Sequence, residues 1–120
     1  MILADTSVWV AHLRARDERL VDLLQQGQIL VHPFVVGELA LGNLRERRVM
    51  LDALAQMPAA VLARDEEVLF LIEGRRLYGL GVGYIDAHLL ASAMLTAGAR
   101  LWTLDQRLDM VAVKLGVASR

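Results

Sequence analysis

The chain predicts an α/β domain, a mostly parallel sheet with helices on both faces. Short apolar, β-branched runs alternate with longer amphipathic segments along its whole length, as strand–helix units do. Gly or Pro marks most of the junctions between them. The first run, Met1-Ile2-Leu3-Ala4, stops at Asp5-Thr6-Ser7. That puts a carboxylate and two hydroxyls at the carboxyl end of an interior strand, where open α/β sheets bind their ligands.

After this strand, residues Ser7 to Leu13 read as a short helix with Thr6 or Ser7 as its N-cap. Asp17-Glu18 opens a second helix to about Gln26, where Leu20, Leu23 and Leu24 recur at helical spacing and the acids suit the helix dipole. Gly27 ends it, and Ile29-Leu30-Val31 is the second strand. Pro33 suits the first turn of the next helix, which runs to about Leu41 and is closed by Gly42-Asn43. Arg45 to Ala55 is a more charged helix, and Pro58 then precedes a weak third strand, Ala59-Ala60-Val61-Leu62. Asp65-Glu66-Glu67 opens an amphipathic helix to Tyr78, with Gly79 as its C-cap. Tyr84 to Ala97 is another helix, capped by Gly98. Leu101-Trp102-Thr103 is the fourth strand, Gln106 to Leu115 the last helix and Val117-Ala118 a final strand. With no repeat, low-complexity tract or linker, residues 1–120 are expected to form one domain.

Composition narrows the function. The hydrophobic fraction is 56%, above the usual range, so some apolar surface is expected to meet a partner chain. Net charge is only −1, which gives the molecule as a whole no pull toward nucleic acid or anionic lipid. Lys114 is the one lysine among 13 basic residues. The arginine bias fits phosphate or carboxylate recognition, and it fits GC-rich codon usage equally well. Absence of Cys excludes disulfides, thiolate metal sites and Cys nucleophiles. No signal peptide is apparent, because Asp5 interrupts the N-terminal apolar run. No uncharged run reaches the roughly 18 residues of a membrane span; Gly79, Gly81, Gly83, Asp86 and His88 break the longest candidate. A cytoplasmic protein is expected.

The strongest signal is three isolated acids. In a chain 22% charged, the stretches 1–13, 33–44 and 77–99 each hold a single charged side chain: Asp5, Glu38 and Asp86. On helical geometry Glu38 shares a face with Phe34, Val35 and Leu41, and Asp86 with Leu89, Leu90 and Ala93. If those faces form the core, neither acid is an ordinary surface charge. A buried carboxylate protonates, pairs or binds a cation, and no Lys or Arg lies in these stretches. Like charges about 4 Å apart repel by roughly 4 kcal/mol at an effective dielectric of about 20. A divalent ion converts that repulsion into affinity, and all-oxygen ligands favour Mg²⁺ or Mn²⁺. Asp105, just past the fourth strand, is either a further ligand or the N-cap of the last helix. Thr6 and Ser7 either bond a carboxylate, a metal-bound water or a phosphate, or serve as caps.

Other signals are weaker. Gly79-Leu80-Gly81-Val82-Gly83 follows a helix rather than a strand and lacks the rest of a nucleotide-loop fingerprint, so it reads as a turn. His12, His32 and His88 are too scattered for a metal triad, and Trp9 and Trp102 read as core. No Gly-x-Ser-x-Gly elbow is present. A phosphoacceptor receiver domain fits poorly: the third strand ends in Ala63-Arg64, and Lys114 falls in a helix.

Taken together, Asp5-Thr6-Ser7, Glu38 in a Pro-started helix, Asp86-Ala87-His88-Leu89-Leu90-Ala91 and Thr103-Leu104-Asp105 resemble the PIN domain. More narrowly the chain resembles the VapC-type ribonuclease toxins of toxin–antitoxin pairs, over essentially its whole length. The resemblance implies a three-layer PIN-like fold, its central sheet having about five strands, and an acidic pocket for one or two Mg²⁺ or Mn²⁺ ions. By similarity Asp5, Glu38 and Asp86 are the main ligands and catalytic acids, with Asp105 in the fourth acidic position. It further implies endonucleolytic RNA cleavage leaving a 5′-phosphate, a VapB-like antitoxin partner and a homodimer. Thr6, Ser7, Arg14 and Arg45 are candidate substrate contacts, with Arg16, Arg19, Arg47, Arg48, Arg75 and Arg76 as further candidates to hold the RNA backbone. A solvated helix face is the other reading of each arginine. The rival function is a catalytically inactive PIN-like interaction module whose acids clamp an Arg of a partner chain.

Overall fold

The computed structural model of the protein describes residues 1–119. Its centre is a parallel sheet of three strands in the order β2-β1-β3, made of β1 (Ile2–Ala4), β2 (Ile29–Leu30) and β3 (Arg100–Trp102). Strand β1 lies in the middle, as its wholly apolar run requires: Leu3 pairs with Leu30 on one side and Leu101 on the other. Leu3, Ala4 and Leu101 are completely buried.

The expected count of about five strands is corrected to three. The runs at 59–62 and 117–118 each contribute one parallel bridge, Val31 with Ala59 and Leu101 with Ala118. Pro58 has no N–H, and the N–H of Val61 turns to the hydroxyl of Thr96 at 2.8 Å, so no ladder extends beyond Ala60. The two further strands expected from the sequence are therefore present only as single bridges, each too short to be a strand.

Among the described residues, seven helices flank the sheet: α1 (Thr6–Arg14), α2 (Glu18–Gln25), α3 (Pro33–Ala40), α4 (Arg47–Ala55), α5 (Asp65–Arg75), α6 (Tyr84–Leu95) and α7 (Gln106–Lys114). Several of their starts follow capping chemistry. Asp17 accepts from Leu20 N–H, His32 accepts from Phe34 N–H, and Pro33 occupies the first turn of α3. The N-cap of α1 is Asp5 rather than Thr6 or Ser7, because its carboxylate takes the N–H of Ser7.

Helix α5 ends at Arg75, three residues before the expected Tyr78. Arg76 turns left-handed with φ 56°, and Leu77 N–H reaches the Ile72 carbonyl at 2.9 Å. This closure brings Leu77 into the core at 3% exposure. Burying a leucine is worth roughly 1.5–3 kcal/mol, against roughly 1–2 kcal/mol for a left-handed non-glycine residue.

Helix α6 is buried from Ala87 through Ala93 and packs on both α5 and β3. It passes beside the sheet and presents its first turn, with Asp86, at the end of the strands. Trp9 and Trp102 both belong to the core, as expected. Among the described residues no helix is long and apolar enough to cross a membrane.

Candidate active site

Parallel strands point the same way, so the residues that follow β1 and β3 emerge at one edge of the sheet. Asp5 follows β1 and is 7% exposed. Its Oδ1 accepts the Ser7 N–H at 2.8 Å, and its Oδ2 accepts the Ser7 hydroxyl at 3.0 Å and the Thr103 hydroxyl. Both hydroxyls are themselves oriented from the β3 side. Ser7 Oγ accepts the Leu104 N–H at 3.0 Å, and Thr103 Oγ1 accepts the Asp105 N–H at 3.0 Å. With the acceptor side occupied by an amide, each O–H is aimed at Asp5.

Glu38 comes from α3, and its Oε1 accepts the Thr6 hydroxyl at 2.6 Å. Its expected burial is corrected. Val35 is buried, but Phe34 and Leu41 are 39% and 90% exposed, and Glu38 lies with them at the surface. The face is apolar without being covered.

Asp86 sits in the first turn of α6, where its Oδ2 accepts the Gly83 N–H at 3.1 Å. Its pKa is raised above the ordinary carboxylate value. Burial is the largest cause, opposed by the Gly83 hydrogen bond, and the charges of Asp5, Asp105 and Glu38 each add to the rise. All four carboxylates therefore share one electrostatic field.

Asp105 is the N-cap of α7. Its Oδ1 accepts from Arg107 N–H at 2.9 Å and Leu108 N–H at 3.1 Å. The cap reading of this residue is correct, and its charge nonetheless reaches Asp86.

Three of the four acids have a common pattern: Glu38, Asp86 and Asp105 each use one oxygen to fix their orientation, whereas both oxygens of Asp5 are engaged. Glu38 Oε2, Asp86 Oδ1 and Asp105 Oδ2 have no hydrogen-bond partner among the described residues, and Asp5 Oδ1 retains a lone pair. None of the four forms an ion pair with a described Lys, Arg or His. These unpaired oxygen donors, with no Cys nearby, are chemically suited to a hard divalent cation. Among the described residues, however, no three acidic or histidine side chains are grouped closely enough to hold an ion as they stand.

The remaining candidates divide. Thr6 and Ser7 each hold a carboxylate. Arg14 shares a groove of about 370 Å³ with Glu38. Arg45 is exposed between α3 and α4 and does not line that groove. His88 is buried, edge-on to Phe34 and Tyr84 at 4.9 and 4.8 Å between ring centroids, so it is a core histidine. Sequence reasoning missed Thr103. Its signal was present: a hydroxyl residue ending an interior strand two positions before an acid, on the strand beside β1.

The PIN domain family profile matches residues 2–114, and the chain belongs to the PIN-domain family. Within that family it is of the VapC type. It is similar to ribonuclease VapC32 of Mycobacterium tuberculosis, in the CDC 1551 / Oshkosh and ATCC 25618 / H37Rv strains. Each match is 51% identical over 118 residues and covers 98% of this chain and 95% of the relative.

Proposed function

We propose that this protein is a Mg²⁺- or Mn²⁺-dependent endoribonuclease, the toxin of a type II toxin–antitoxin pair. One observation carries the reading: four carboxylates with no cationic partner among the described residues share one electrostatic field, in which Asp86 has its pKa raised by burial first and by the charges of Asp5, Asp105 and Glu38 after it. Family membership and the ribonuclease name of the relative support it.

Asp5, Glu38 and Asp86 would hold the ion, with Asp105 as the fourth acid. Once bound, the ion supplies a Lewis acid that activates water near neutral pH and offsets charge on a phosphate. The chain's own residues supply orientation. Ser7 and Thr103 fix the plane of the Asp5 carboxylate, and Thr6 fixes Glu38. The Gly83 N–H pins one oxygen of Asp86, and the α7 amides pin one of Asp105. Arg14, which lines the same groove as Glu38, would take an RNA phosphate.

A VapB-like antitoxin, a homodimer and a cytoplasmic site of action complete the proposal. An exposed apolar surface supports a protein partner: Phe70, Met94 and Leu95 line a groove of about 400 Å³ between α5 and α6, and Phe70 is 79% exposed.

The test is cleavage of single-stranded RNA by the purified protein. Cutting should require Mg²⁺ or Mn²⁺, stop with chelator and disappear in Asp86→Asn. Cutting that persists in both Asp5→Asn and Asp86→Asn would overturn the proposal.

A further inference from the structure

Arg107 occupies the space that a side chain at position 81 would need. Gly81 has φ +81°, and a Cβ added there would lie 2.8 Å from both Cδ and Nη1 of Arg107 and 3.3 Å from its Cζ. The arginine therefore lies along the backbone of the loop that leads into α6. Two residues further on, Gly83 holds Asp86 through its N–H. The backbone N–H of Arg107 itself is held by Asp105. This one residue thus touches the turn that carries Asp105 and the loop that positions Asp86.

Arg107 follows Asp105 by two residues, and an arginine next to an acid in sequence often closes a salt bridge with it. Here the guanidinium has neither an ion-pair nor a hydrogen-bond partner among the described residues. Lying against a glycine leaves the guanidinium donors available to an outside anion. A groove of about 410 Å³ continues from it along α7, lined also by Leu80, Met110, Val111 and Lys114, the only lysine of the chain.

We propose that Arg107 binds an RNA backbone phosphate next to the scissile one, with the adjoining nucleotide lying along the α7 groove. This rests on the ribonuclease reading above. An acidic centre repels a polyanion, so cationic contacts must flank it. The planar guanidinium matches phosphate oxygens through paired N–H donors.

The test is steady-state cleavage of a fluorescent single-stranded RNA with Mn²⁺ across a range of salt. The same RNA is also bound without added metal and followed by anisotropy. Arg107→Gln should raise KM and Kd about tenfold with kcat nearly unchanged, the effect of losing one charge-assisted contact. The slope of log affinity against log salt should fall by about 0.7, the loss of one phosphate contact on a single strand. Arg107→Lys should keep the salt slope while KM rises by less. Gly81→Ala should reproduce the KM effect by displacing the arginine, and should add nothing in the Gly81→Ala/Arg107→Gln double variant. Unchanged KM and salt slope in Arg107→Gln would overturn the inference alone, as would a fall in kcat with both unchanged. Wild-type protein that neither binds nor cuts RNA would overturn the ribonuclease reading as well.

Discussion

Thr103, the residue after β3, donates its hydroxyl to Oδ2 of Asp5, the residue after β1, although the two are 98 positions apart. The same oxygen of Thr103 accepts the Asp105 N–H at 3.0 Å. One hydroxyl therefore ties the central carboxylate to the cap of the last helix.

Replacing Thr103 with Val keeps the shape and removes both bonds. Asp5 loses a donor and the Asp105 N–H loses its acceptor, so the loss of stability should be about 1–3 kcal/mol. Thr103→Ser should retain most of that stability. Urea denaturation measures the stability change, and Mn²⁺ titration followed by electron paramagnetic resonance should show weaker binding in Thr103→Val only.

Thr6 and Glu38 meet at 2.6 Å on the surface between α1 and α3. Because the bond is exposed, Thr6→Val should cost little stability, at the low end of about 0.5–1.5 kcal/mol. Its main effect should be a lower RNA-cleavage rate, since Glu38 then samples rotamers away from the other acids. Equal rates for Thr6→Val and wild type at saturating Mn²⁺ would contradict this.

Asp86 has a raised pKa, so its ionised form is disfavoured in the folded protein. The sign follows from linkage: the metal-free fold is favoured below the unfolded carboxylate pKa, and that advantage is lost as pH rises through the folded value. Asp86→Asn should therefore raise the thermal midpoint of the metal-free protein at neutral pH by a few degrees. The gain should shrink on acidification. Added Mn²⁺ should stabilise the wild type and leave the variant unmoved.

His32 works in the opposite direction. Burial, and secondly the neighbouring His88, lower its pKa from 6.5 to about 4. Its Nδ1 accepts the Phe34 N–H at 3.0 Å, so the ring must stay unprotonated there to cap α3. The unfolded chain takes up a proton near 6.5 and the native one does not. Stability is then complete above about pH 6.5 and declines as pH falls toward about 4. The loss should reach about 3 kcal/mol. His32→Asn, which keeps a capping oxygen without the titration, should flatten this acid limb in denaturation curves.

What the sequence revealed follows from what local chemistry controls. Strand β1 and the opening turns of α2 and α3 were legible because apolar runs, Asp17 and Pro33 act on their immediate neighbours. The isolation of Asp5, Glu38 and Asp86 was legible because charge scarcity needs no coordinates to be seen. Glu38 shows the limit. Helical spacing says that Phe34 and Leu41 share its face, but only tertiary packing decides whether anything covers that face. The outer strands shortened for a similar reason, since the Val61 N–H found a partner in Thr96 that lies 35 residues away. Thr103 stood in the motif without a role and Arg107 was no candidate contact, because the part each plays depends on what stands opposite it, Asp5 for one and a missing Cβ for the other.

The span between Asp5 and Thr103 has a consequence during synthesis. Asp5 leaves the ribosome well ahead of the Thr103 hydroxyl that fixes it, which is translated 98 positions later together with the cap beside it. A nascent polypeptide short of β3 has no assembled carboxylate centre. Assembly of the centre therefore waits, by chain topology alone, on the synthesis of β3 and the turn after it.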